Sequence, residues 1–82
     1  TLPDVPEEEP AVDALSEADI LGLIQQLPAG YRVVFNLYAI EGKTHVEIAQ
    51  LLGIKPDSSA SQYARARRLL AKMINDYRLK TR

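Results

Sequence analysis

Beyond residue 15, apolar residues recur three and four positions apart, a spacing that predicts helices. Strict alternation of apolar and polar positions is missing, so no strand is expected. Ile20, Leu21, Leu23, Ile24 and Leu27 form the first run, and Ser16 with Asp19 makes a capping box before it. A first helix is therefore expected at about 16–26. Leu27-Pro28 breaks it, because proline cannot continue the hydrogen-bond ladder, and Pro28 suits the first turn of a second helix at 28–40. Val33, Val34, Phe35, Leu37, Tyr38 and Ile40 make this second helix unusually apolar, so it is expected to be the central and most buried one.

Glu41-Gly42-Lys43 forms the next break, and T-H-V-E (Thr44 to Glu47) is a second capping box. It opens a third helix at about 44–52, for which Ile48, Ala49, Leu51 and Leu52 are expected to supply the buried face. Gly53 permits the left-handed turn that ends this helix, and Ile54 can plug the space beneath the turn. Pro56 and Asp57 start a fourth helix, at about 57–77, capped by Asp57 or a serine. Tyr63, Ala66, Leu70, Met73 or Ile74, and Tyr77 form one apolar stripe along it. Ser58, Ser61, Gln62, Arg65, Arg68 and Lys72 fall largely off that stripe, so the helix has a core face and a cationic face. The fold expected is all-α: a compact four-helix domain over 15–82 with a C-terminal helix-turn-helix. In that motif the second helix enters the DNA major groove, with its N-terminal part at the base edges.

Length and composition fit one small domain. The absence of cysteine removes disulfides, thiolate metal sites and cysteine nucleophiles, and is compatible with the reducing cytoplasm, where the protein is expected. No apolar run approaches the roughly 20 residues needed to cross a membrane. No signal peptide is visible, and a first residue of Thr suggests a processed chain or an excised fragment. Residues 1–14, with three prolines and an acidic run, are expected to be a flexible or extended linker. An acidic tether of this kind can also rest transiently on a basic surface.

A net charge of −1 argues weakly against nucleic acid, but its distribution argues for it. Residues 1–42 hold one base against eight acids, a balance of −7, whereas residues 43–82 hold nine bases against three acids, a balance of +6. The basic half is the half with the helix-turn-helix, which points to a DNA-facing surface. Cations that merely complement the dipole of a C-terminal helix are the plainer explanation.

Gln62 and Arg65 are the first candidates for base contact, since Gln reads adenine and Arg reads guanine through paired hydrogen bonds. Ser58, Ser59 and Ser61 carry short hydroxyls that allow close approach to phosphates or bases, although capping is the readier role for Ser58. Lys43, Lys55, Arg68 and Lys72 suit phosphate neutralisation. Thr44 and His45 lie at the start of the third helix, where backbone amides favour phosphate and Thr44 also caps. His45, the only histidine, is placed at the surface near phosphate; alone it cannot assemble a metal site. Arg67 sits beside the apolar stripe. Tyr63 and Tyr77 are expected to pack, and Tyr31, Phe35 and Tyr38 to face the core or a partner. The sequence offers no nucleophile with a base, no phosphate-cradling glycine loop and no positioned carboxylate pair, so neither an enzyme nor a cofactor is expected.

The runs LPAGYRVVFNLYAIEGKTHVEIAQLLGI and SSASQYARARRLL resemble region 4 of bacterial sigma-70-type factors, and most of all the small extracytoplasmic-function group. The matching elements are Leu27-Pro28, Glu41-Gly42, Glu47-Ile48-Ala49, Leu52-Gly53-Ile54 and Arg65-Ala66-Arg67, and the resemblance spans about residues 16–75. It implies recognition of the −35 element in double-stranded promoter DNA, contact with RNA polymerase core, and possible control by an anti-sigma factor. It also implies a region 2 domain elsewhere, with residues 1–14 corresponding to the linker. The chain departs from the family pattern at three positions. Asp57 stands where Gly is frequent, Ser59 where a hydrophobic residue is frequent and Ala60 where Lys is frequent, while Gln62 stands where Arg or Gln is found. Ala60 thereby lacks a phosphate contact, and Asp57 brings a negative charge near DNA. Two other readings stand beside this one: the output domain of another helix-turn-helix regulator, and a helical protein-interaction domain in which the long fourth helix docks a partner.

Overall fold

The computed structural model describes residues 15–80, so the linker expected at 1–14 lies outside the described residues. Four helices follow in order: α1 (Glu17–Gln25), α2 (Ala29–Phe35), α3 (His45–Leu52) and α4 (Pro56–Lys80). There is no strand among the described residues, in keeping with the all-α expectation.

Both capping boxes form. Ser16 Oγ accepts from the Asp19 N–H at 3.0 Å, and the Ser16 N–H donates to the Asp19 carboxylate at 3.2 Å. Thr44 Oγ1 accepts from the Glu47 N–H at 3.1 Å, and the Thr44 N–H donates to Glu47 Oε1 at 2.8 Å. Each box satisfies donors that a helix start leaves without an intrahelical partner. Pro28 is the cap residue of α2, one position ahead of the helix it was expected to begin, and the Arg32 guanidinium reaches back across the break to the Gln25 carbonyl at 2.8 Å. Gly53 ends α3 in the left-handed region (φ 70°, ψ 35°), and the Ile54 N–H then donates to the Ala49 carbonyl at 3.0 Å. Pro56 is the first residue of α4, one position earlier than expected, which puts Asp57 inside the first turn instead of at the cap.

The expected second helix does not stay α-helical to residue 40. Asn36–Ile40 form a π-helical turn, in which the Glu41 N–H donates to the Asn36 carbonyl five residues back at 2.9 Å. Each such closure takes one residue more than an α turn, so side chains beyond it lose the register of α2. Gly42 follows with φ 76° and redirects the chain into α3.

The fourth helix is the one the others share: α1, α2 and α3 each pack on it. Its stripe is realised, with Ala66 and Leu70 buried against Leu23, Ile24, Leu27 and Phe35, and with Tyr63, Met73, Ile74 and Tyr77 at the margin. Two expectations of burial are corrected. In the second helix Val34 and Phe35 are buried, but Val33 and Ile40 are 41% and 57% exposed. In α3 only Ile48 and Ala49 are buried, and Leu51 and Leu52 are 61% and 39% exposed. The reason is layering: a short helix leaning on one long helix buries one narrow face, and no further element covers the rest.

Candidate nucleic-acid interface

Helices α3 and α4, joined at the Gly53 turn, form the expected helix-turn-helix. On α4, Ser58, Ser61, Arg65, Arg68 and Lys72 follow one another at intervals of three and four, which places them on one face. Ser61, Arg65, Arg68 and Lys72 are exposed, and Ser58 is half-buried. At 1.5 Å per residue, Ser58 to Arg65 spans about 10 Å, comparable to the width of the major groove. Arg68 and Lys72 lie farther along, where the helix would leave the groove and meet backbone. Lys72 is already paired with Asp76 at 3.2 Å, an exposed i,i+4 contact that dilutes its charge without adding much stability.

Asp57 and Ala60 are also exposed at the start of α4. Asp57 precedes Ser61 by one turn, so its carboxylate shares the polar face. It also suits the positive end of the helix dipole.

Gln62 stands away from this stripe. It is half-buried, and its side-chain oxygen lies 3.8 Å from where a Cβ on Gly30 would sit, so the amide leans toward the first turn of α2. Arg65 is thus exposed on the stripe, whereas Gln62 is not.

Ser59 leaves the set of direct contacts altogether. It is 0% exposed, since it falls on the buried stripe four residues before Tyr63 and seven before Ala66. Its hydroxyl lies 2.8 Å from His45 Nδ1. The His45 ring in turn stacks on Tyr38, with centroids 4.2 Å apart and planes within 5°. His45 is therefore a half-buried, doubly held ring and not a plain surface residue.

Tyr38, Gly42, Lys43, Thr44 and His45 line an open cleft of about 480 Å³ at the entrance to α3. Lys43 contributes a cation there. Thr44 Oγ1 is occupied as an acceptor by Glu47, which leaves its hydroxyl proton to donate. Lys55 is exposed beside the turn, next to the start of α4. Tyr38 is the member of this group that sequence reasoning placed only as core or partner-facing. Its position depends on the π turn, which no residue pattern in the sequence marks. Tyr63 packs as expected, against Phe35 at 5.7 Å and Tyr38 at 4.5 Å.

Among the described residues no group of His, Cys, Asp and Glu is placed to hold a metal ion. No helix among them is long and apolar enough to cross a membrane.

The family model described as sigma-70, region 4 matches residues 17–70, most of the chain. No curated protein and no solved structure matches. The matched span runs from the first residue of α1 to the last core leucine of α4, and so takes in the whole helix-turn-helix. The chain belongs to the sigma-70 region 4 family, the DNA-binding helix-turn-helix of transcription initiation factors.

Proposed function

We propose that this domain recognises the −35 element of bacterial promoters, within a sigma factor of the extracytoplasmic-function type acting in the cytoplasm. The observation that carries the reading is the exposed Ser61, Arg65, Arg68 and Lys72 stripe on a 25-residue helix directly after a left-handed turn. In this reading α4 enters the major groove by its N-terminal half, and Arg65 and Ser61 face base edges. Arg68, Lys72, Lys55 and the Lys43–His45 cleft neutralise backbone phosphates and release counterions. The domain positions polymerase on the promoter and carries out no chemistry.

The same reading assigns the uncovered apolar side chains of α3, Val46 and Leu51, to contact with RNA polymerase core or an anti-sigma factor. Leu51→Asp tests this directly: capture of purified core polymerase should fall while the helical spectrum is kept, and unchanged capture removes the assignment.

Selection from random DNA duplexes tests the DNA reading. The expected result is one enriched motif of a few base pairs, with preference at one position relaxed in Arg65→Ala. A bidentate Arg–guanine pair discriminates by about 1–3 kcal/mol, so the relaxation should be clear at a single position. No enriched motif for the wild-type domain would overturn the reading.

A further inference from the structure

Ser59 poses a question that its position on α4 makes sharp. It is the only polar residue buried among the described residues, and it directly follows Ser58, the first residue of the proposed DNA-facing stripe. A buried hydroxyl needs a partner, and its partner is His45 Nδ1 at 2.8 Å. Stacking on Tyr38 fixes the plane of the imidazole, and the Ser59 contact fixes its rotation within that plane. Tyr63 packs beside Tyr38 on the same side of the ring, 4.5 Å from Tyr38 and 6.0 Å from His45. The ring lines the cleft that also holds Lys43 and Thr44.

The chemistry of this arrangement is specific. When the Ser59 hydroxyl donates to Nδ1, the proton of the neutral ring resides on Nε2. When the ring is protonated, Nδ1–H donates to Ser59 Oγ and Nε2 keeps its proton. The contact survives in both states with its direction reversed, and Nε2 is a donor in each. Only the charge of the ring changes.

We propose that Ser59 is a positioning residue for DNA backbone binding: it holds His45 with Nε2–H as donor to a phosphate in the cleft, and binding is accompanied by proton uptake on His45. The inference rests on the promoter-binding reading above. A phosphate beside an imidazole favours its charged form, so the ring holds its proton to higher pH in the complex than in the free protein. Affinity therefore rises as pH falls through the range between the complexed and the free ring, and levels off below it. The other ionisable residues of the cleft and of the elements that meet there are Tyr38, Tyr63, Lys43, Lys55, Glu41, Glu47 and Asp57, with the Glu47 carboxylate turned to the Thr44 N–H. Phenols, ammonium groups and carboxylates as classes have ordinary pKa values outside pH 6 to 8, whereas imidazole's lies within it.

The test uses the whole chain and its selected duplex, at constant ionic strength, between pH 8 and pH 6. Wild type should bind up to about tenfold more tightly at pH 6, the size that one unit of pKa change confers. His45→Gln, which keeps an amide donor near the Nε2 position but does not titrate, should bind without the slope. Nitrogen NMR of the free protein at pH 8 should show the neutral ring protonated on Nε2 alone, and Ser59→Ala should mix the two tautomers. A pH-independent wild type, a slope retained in His45→Gln, or a neutral ring protonated on Nδ1 would each overturn the proposal. Those results leave promoter recognition standing if Arg65→Ala still weakens binding, whereas a wild type that prefers no duplex at any pH removes both.

Discussion

The Tyr77 hydroxyl, near the end of α4, donates to the Asp19 carboxylate in the first turn of α1 at 3.2 Å. Fifty-eight positions separate the two residues, so this bond ties one end of the fold to the other. Asp19 meanwhile completes the α1 capping box through its other oxygen. The hydrogen bond and the charge of Asp19, with a smaller contribution from burial, raise the Tyr77 pKa above the usual phenol value. A raised pKa means that the folded chain holds this proton more firmly than the unfolded chain. The stabilisation is complete below pH 10 and is lost as pH rises through the higher folded value. Tyr77→Phe should therefore unfold at a modestly lower temperature at neutral pH, with the difference shrinking at strongly alkaline pH. Thermal melts of the two proteins from pH 7 to pH 11 check this.

Two glycines should respond in opposite directions to the same change. Gly22 lies inside α1, and a Cβ there would meet nothing within 4 Å. Gly22→Ala should stabilise by about 0.5–1 kcal/mol through helix propensity alone. Gly53 also has open space around it, but its φ of 70° penalises any side chain. Gly53→Ala should destabilise by about 1–2 kcal/mol. Urea denaturation of both variants gives the two signs.

On α3, burial and not residue type should decide the cost of truncation. Ile48 is 0% exposed, so Ile48→Ala should cost about 2–5 kcal/mol. Leu51 is 61% exposed, so Leu51→Ala should stay within about 0.5 kcal/mol of wild type in the isolated protein. Comparable losses in chemical denaturation would show that Leu51 is covered after all.

Asp57 is a test of charge on the side proposed to face DNA. Asp57→Asn keeps the shape and removes a carboxylate one turn from Ser61, so DNA affinity should rise several-fold at low salt. The gain should shrink at high salt, where exposed charges are screened. Anisotropy titrations at two salt concentrations check both parts. Affinity that is unchanged at low salt would place Asp57 away from the phosphates.

Arg68→Ala should lower affinity for all duplexes alike and reduce the slope of log affinity against log salt by about 0.9, the share of one phosphate contact. A loss confined to one base position would instead make Arg68 a reader of sequence.

Most of the fold was legible in the residues. The Ser16 and Thr44 boxes, Leu27-Pro28, Gly53 and Pro56 mark the start of each helix and the ends of α1 and α3 within a residue or two, because each works through its own backbone geometry, whereas the end of α2 at Phe35 and of α4 at Lys80 carried no such mark. The stripe of α4 was equally legible, since spacings of three and four survive whatever packs against them. Ser59 marks where type misled and position did not. Counted along the helix it belongs with Tyr63, Ala66 and Leu70, yet its hydroxyl suggested DNA. Gln62 lies half-buried near Gly30 of α2, 32 positions away, a proximity that local pattern does not contain.

The sequence by itself determined that residues 15–80 make four helices, that the last is basic on one side and apolar on the other, and that a left-handed turn precedes it. Those properties are local, set by backbone conformation and by the period of the helix. Tertiary structure decided which apolar residues of α3 are covered, because Ile48 and Leu51 are side chains of equal size whose exposure is set by what lies opposite them. It also decided how the π turn brings Tyr38 onto His45, and that Ser59 meets the same ring from the other helix. Such contacts arise where separate elements converge, and their energy depends on burial that no single segment can supply.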